Sequence, residues 1–88
     1  MGKLFTIKIK DTTNKIYING KYEYNTLEII YNISLEEFMS IDKKLLKKYD
    51  SAVCVVYYKD IEVGATFSLS KSNKSYINLI SKMNNLLQ

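Results

Sequence analysis

The sequence predicts a single α+β domain over residues 1–88. It reads as a two-layer sandwich: an antiparallel sheet of about five strands, in the order β-β-β-α-β-β-α, with two helices on one face. Three observations predict this. Much of the chain alternates apolar and polar residues with a period of two, the mark of a half-buried strand. Two stretches, 33–50 and 75–87, instead repeat apolar residues at threes and fours, as amphipathic helices do. The strands are separated by short turn clusters, which join antiparallel neighbours.

Residues 3–10 set Phe5, Ile7 and Ile9 against Thr6, Lys8 and Lys10, giving a first strand. Asp11-Thr12-Thr13-Asn14 reads as a turn, and Lys15–Asn19, with Ile16 and Ile18 inward, as a second strand that closes an antiparallel hairpin. Asn19-Gly20 suits a type I′ loop leading to a third strand. There Tyr22 and Tyr24 hold one phase, while Leu27, Ile29, Tyr31 and Ile33 hold the other. A period of two changes phase only through an extra residue, so a bulge is expected near Asn25-Thr26.

The stretch Ile33–Asp50 predicts one continuous helix. Ser34 and Glu37 form a capping box, and Ile33 and Phe38 have the spacing of a hydrophobic staple. Leu35, Phe38, Ile41, Leu45 and Tyr49 make its apolar stripe, with Leu46 widening it and Met39 at its edge. Lys43, Lys44, Lys47 and Lys48 form a polar face beside the stripe, in the half of the helix where the dipole favours cations.

Ser51–Lys59 is apolar at nearly every position, which suits a central strand. After a Lys59-Asp60 turn, Ile61, Val63, Ala65, Phe67 and Leu69 alternate with polar residues, predicting a strand with those five facing inward. Gly64 marks a bulge or a close approach by another group. A last helix, capped by Ser75 or Ser72, carries Tyr76, Leu79, Ile80, Met83, Leu86 and Leu87 on its apolar side.

Composition limits the chemistry. The chain has no histidine, tryptophan, proline or arginine, and its net charge of +4 is carried by thirteen lysines against nine acids. Abundant Lys, Asn, Ile and Tyr point to an AT-rich genome, such as that of a low-GC bacterium or its phage. The single cysteine, Cys54, lies in the run AVCVVYY and reads as a buried, reduced thiol of a cytoplasmic protein. In that setting the sequons at Asn32 and Asn73 are chance matches. No secretory signal or membrane-spanning run is evident, and Met1-Gly2 with Thr6 matches the myristoylation pattern only loosely.

An enzyme is not expected. There is no histidine for acid–base or metal chemistry, no second cysteine, and no phosphate-cradling glycine loop, so no metal or cofactor is assigned. Glu36 and Glu37 are adjacent and diverge on a helix, and charge at the helix start accounts for them.

Binding remains. With the helices on the face of Ile7, Ile16 and Phe67, the opposite face carries Lys8, Lys10, Lys15, Tyr17 and one of Tyr57 or Tyr58. Tyrosine is enriched at protein interfaces. The sequence therefore points to a small protein-binding module, regulatory or inhibitory, of the kind a phage or mobile element uses against a host defence protein. The candidate surface is Tyr17, Tyr57, Tyr58 and Lys8, with Lys44, Lys47 and Lys48 as a second patch. An edge strand or the sheet face could also pair two copies. The second reading is nucleic-acid binding, with tyrosines stacking bases and lysines on phosphates. The absence of arginine weighs against it, and no broad apolar helix face supports membrane binding.

Overall fold

The computed structural model describes residues 2–88. Four strands, β1 (Phe5–Ile18), β2 (Lys21–Ile33), β3 (Ala52–Tyr58) and β4 (Ile61–Thr66), form one antiparallel sheet in the order β2-β1-β3-β4. A short helix α1 (Leu35–Met39), a 3₁₀ helix (Lys43–Lys48) and helix α2 (Lys74–Leu86) supply residues to the single core on one sheet face.

The expected five strands are four because Asp11–Asn14 does not reverse the chain. β1 runs straight through it, as one arm of a long hairpin with β2. The turn chemistry is nevertheless present: the Asp11 carboxylate accepts from the Thr13 N–H at 2.9 Å and its hydroxyl at 2.7 Å, which holds its pKa below the ordinary carboxylate value. These bonds produce a register shift between the Asp11↔Asn25 and Lys15↔Tyr24 pairs rather than a hairpin. The real reversal is at Asn19 and Gly20, with φ of 50° and 83°, the left-handed pair a type I′ loop requires. In β2, Leu27 is the extra residue between Glu28 (opposite Ile9) and Thr26 (opposite Lys10), close to the expected bulge.

The predicted continuous helix is the second correction. Its start is as expected, with the Ser34 hydroxyl accepting from the Glu37 N–H and the Glu37 carboxylate from the Ser34 N–H. It stops after five residues. The Ser40 hydroxyl bonds back to the Glu36 carbonyl, while the Asp42 carboxylate accepts from the Lys44 N–H and caps a separate 3₁₀ helix. Serine and aspartate offer the backbone partners outside the helical ladder, and here they win.

The β4 phase is the third correction. Gly64 and Thr66 are buried, whereas Ala65 is exposed and Phe67, just past the strand, is 70% exposed. A register shift between Val56↔Gly64 and Tyr57↔Glu62 leaves Val63 as the extra residue. α2 lies close against the Gly64 side: a Cβ placed there would stand 3.1 Å from Leu79 Cδ1. The buried Thr66 hydroxyl is satisfied by the Ser68 carbonyl and the Ser75 hydroxyl, both at 2.7 Å. Helix α2 is capped by Asn73, not by Ser75 or Ser72; its side chain accepts from the Ser75 and Tyr76 N–H groups.

The core joins Phe5, Ile7, Ile9, Cys54 and Val56 of the sheet to Leu35, Phe38, Leu46, Tyr76, Leu79 and Met83 of the helices. Burial pushes the Cys54 thiol up to about 12. Maleimide labelling of native protein at pH 8 is therefore expected to be slow and to accelerate with added urea; fast labelling in its absence would contradict this burial. The unfolded thiol ionises near pH 9, so this group's contribution to stability is complete below that and fades toward pH 12.

Candidate docking face

The helices cover one sheet face and leave the other open. The pairing register assigns side chains to each, because residues directly opposite in neighbouring strands point the same way. Ile7 pairs with Val56 and Ile9 with Cys54 on the core side; Lys8 pairs with Val55 and Lys10 with Val53 on the open side. β2 adds Ile29 opposite Lys8, and alternation adds Tyr31. Val53 and Val55 are each only 6% exposed yet lie outside the helix-covered core cluster. They are flanked in register by lysines, whose aliphatic stems cover apolar surface.

Tyr57 stands at the end of the face away from the Asn19-Gly20 turn. Thr6 is opposite it on β1 and Glu62 on β4, and the ammonium groups of Lys8 and Lys10 lie 4.8 Å and 5.4 Å from its ring centroid. Such cation–π contacts hold both lysines to the face.

The long hairpin extends this face outward. β3 pairs with β1 only from Thr6 to Asp11, so Lys15–Ile18 and Lys21–Tyr24 form a two-stranded arm. Following β2 from Thr26, opposite Lys10, the phase carries Tyr24 and Tyr22 onto the open side, with Lys15 and Tyr17 opposite them. Lys15 lies 5.3 Å from the Tyr24 ring, and Tyr17 meets Tyr22 edge to face at 5.0 Å. The other phase of the arm carries Ile16, Ile18, Lys21 and Glu23.

The sequence-predicted residues thus separate. Lys8 and Tyr57 meet on the open face at the end away from the arm, and Tyr17 sits on the arm in the same phase. Tyr58 faces the helix layer, half-buried, with its ring 5.8 Å from Phe5. Lys44, Lys47 and Lys48 belong to the 3₁₀ helix, away from the open face. At three residues per turn Lys44 and Lys47 share one edge, while Lys48 lies elsewhere and pairs with Glu28 at 3.5 Å. The four-lysine face of a continuous α-helix does not form. Ile29, Tyr31, Tyr22 and Tyr24 are the open-face residues that sequence reasoning missed: the expected bulge puts Tyr22/Tyr24 and Ile29/Tyr31 on one side, but only pairing with Lys8, Lys10 and Lys15 shows that this side is the open one.

Among the described residues no cluster of three or more His, Cys, Asp or Glu could hold a metal, and no helix is long and apolar enough to cross a membrane. Comparison with known proteins finds no matching family model, no matching curated protein and no matching solved structure.

Proposed function

We propose that this protein is a non-enzymatic protein-binding module that docks a partner on its open sheet face. One observation carries this reading: a continuous uncovered surface bearing Tyr17, Tyr22, Tyr24, Tyr31, Tyr57 and Ile29, of which Tyr17, Tyr22 and Tyr31 are 64%, 71% and 66% exposed. Large apolar side chains gathered in solvent on one face mark interaction sites, and tyrosine is a preferred interface residue. The arm strengthens the reading. A two-stranded ribbon is marginal on its own in water, and this one holds Tyr17, Tyr22 and Tyr24 in solvent on the open side.

The accessible surface supports the same view. It totals 5978 Å², against roughly 5,300 Å² expected for a compact monomer of this mass. The difference approaches one partner's share of a standard interface, about 800 Å². A module without catalytic groups acts by occupying its partner's surface, which suits regulation or inhibition. A host defence protein as target and a phage or mobile-element origin rest on size and composition, as does the cytoplasmic setting.

Nucleic-acid binding fits the geometry less well. Tyr57 is already engaged by two ammonium groups, and Tyr17 and Tyr22 pack against each other. Base stacking needs free ring faces.

Affinity capture from low-GC bacterial lysates, followed by titration of the captured protein, tests the proposal. Tyr31→Ala and Tyr57→Ala are each expected to weaken binding by roughly tenfold or more, as loss of an anchoring interface aromatic does, while circular dichroism shows the fold retained. Capture that neither variant affects, or no specific capture at all, would overturn the reading.

A further inference from the structure

We infer that the partner surface which meets the open sheet face is acidic, with carboxylates seated on the lysine row Lys8, Lys10 and Lys15 of β1. The inference rests on the open-face reading and specifies the chemistry of its partner.

The argument is one of charge placement. The chain has nine acids, but the open face carries three of its lysines and only Glu62, at its β4 margin. The other acids lie elsewhere. Glu23 and Glu28 occupy the opposite phase of β2, where they pair with Lys21 at 3.9 Å and Lys48 at 3.5 Å. Glu37 and Asp42 cap the helix starts, Glu36 sits in the first turn of α1, and Asp60 is in the β3–β4 turn. Asp11 is tied to Thr13, and it and Asp50 line one cavity with Tyr49 on the helix side. Neither Lys8, Lys10 nor Lys15 has a carboxylate within salt-bridge distance among the described residues.

These lysines are nonetheless held. Each stands over a tyrosine ring, Lys8 and Lys10 over Tyr57 and Lys15 over Tyr24. A cation restrained in this way loses less side-chain entropy when it meets an anion. Lys8 and Lys10, two residues apart on one strand, are about 7 Å apart along the backbone. That is the repeat of alternate residues on an extended segment and close to the spacing of i, i+4 carboxylates on a helix. A second copy of this chain is a poor occupant, since stacking two such faces sets lysines against lysines. Beside the row, Ile29 and Tyr31 give the apolar contact an acidic peptide would need besides charge.

Defined probes test this without knowledge of the natural partner. Anisotropy would be read with a labelled peptide alternating Glu and Leu, its Lys–Leu counterpart, and an oligo-dT of similar length, at ~50 and ~200 mM salt. The Glu–Leu peptide is expected to bind roughly tenfold or more tighter than either control, and Lys8→Glu/Lys10→Glu to weaken it at least roughly tenfold. Equal binding of the two peptides, tighter binding of oligo-dT, or no effect of the charge reversal would overturn the inference. A captured natural partner separates the two claims. Loss of its binding in Tyr31→Ala but not in Lys8→Glu/Lys10→Glu leaves the open face standing and removes the acidic partner; retention in both removes both.

Discussion

Replacing Phe38 with alanine is expected to cost about 3–5 kcal/mol of folding stability, the range for emptying a fully buried aromatic site. Phe38 is 1% exposed, and its ring stacks on Tyr76 of α2 with centroids 5.9 Å apart and planes 17° from parallel. It is thus the contact that binds the five-residue α1 to the rest of the core. A helix that short has no independent stability, so its position depends on this side chain and on Leu35. A domain of 88 residues has roughly 4–13 kcal/mol in all, and the variant is expected to be partly unfolded at room temperature. Urea unfolding would show a much lower midpoint. A midpoint within the error of wild type would mean that α1 does not close the core as described.

Gly64→Val is the second large effect, at about 1–3 kcal/mol destabilising, the cost of overpacking. The contrast with Gly64→Ala makes the test specific. The alanine Cβ stands 3.1 Å from Leu79 Cδ1 and 3.5 Å from Lys82 Cδ, both parts of side chains that can yield by a few tenths of an ångström. It also restricts the unfolded chain, so alanine is expected within about 1 kcal/mol of wild type. Valine adds two methyl groups to a Cβ already in close contact, where α2 packs on β4, and it forces the helix away from the sheet. Equal stability of the two variants would show that α2 lies further from Gly64 than the structure places it.

Much of the fold is legible in the residues because local chemistry and burial agree. Asn19-Gly20 predicts its turn and Ser34 with Glu37 its capping box, and both form. The apolar alternation of Phe5, Ile7 and Ile9 points into the core as expected. The errors arise where a residue's local bonding mimics a different element. Asp11 makes turn-like bonds to Thr13 inside a strand that continues, and no single-residue signal separates the two outcomes. Ser40 and Asp42 did carry a stop-and-restart signal within the predicted helix, a serine that bonds backward and an aspartate that caps forward. The unbroken apolar stripe hides it.

For β4 the alternation itself misled. Ile61, Val63, Ala65 and Phe67 look like an inward face, but the helix packs on the side with the smallest residue. Gly64 was the residue that marked it. The open face is legible in part for the same reasons. Lys8, Lys10, Lys15 and Tyr17 follow from strand phase, which leaves Tyr57 and Tyr58 as alternatives until the pairing of Thr6 with Tyr57 decides between them. Tyr22, Tyr24, Ile29 and Tyr31 join them only once β2 is paired with β1: the bulge is legible in the single strand, but the face its neighbours take is not.

The most direct test of the open face as the docking surface is site-specific photo-crosslinking in a low-GC bacterial lysate. A benzophenone side chain would replace either Tyr31, 66% exposed on the open face, or Ile77, 52% exposed on α2. Cross-linking of one discrete partner from position 31 and none from position 77 is the expected result. Adducts from position 77 alone, or from neither position, would contradict it.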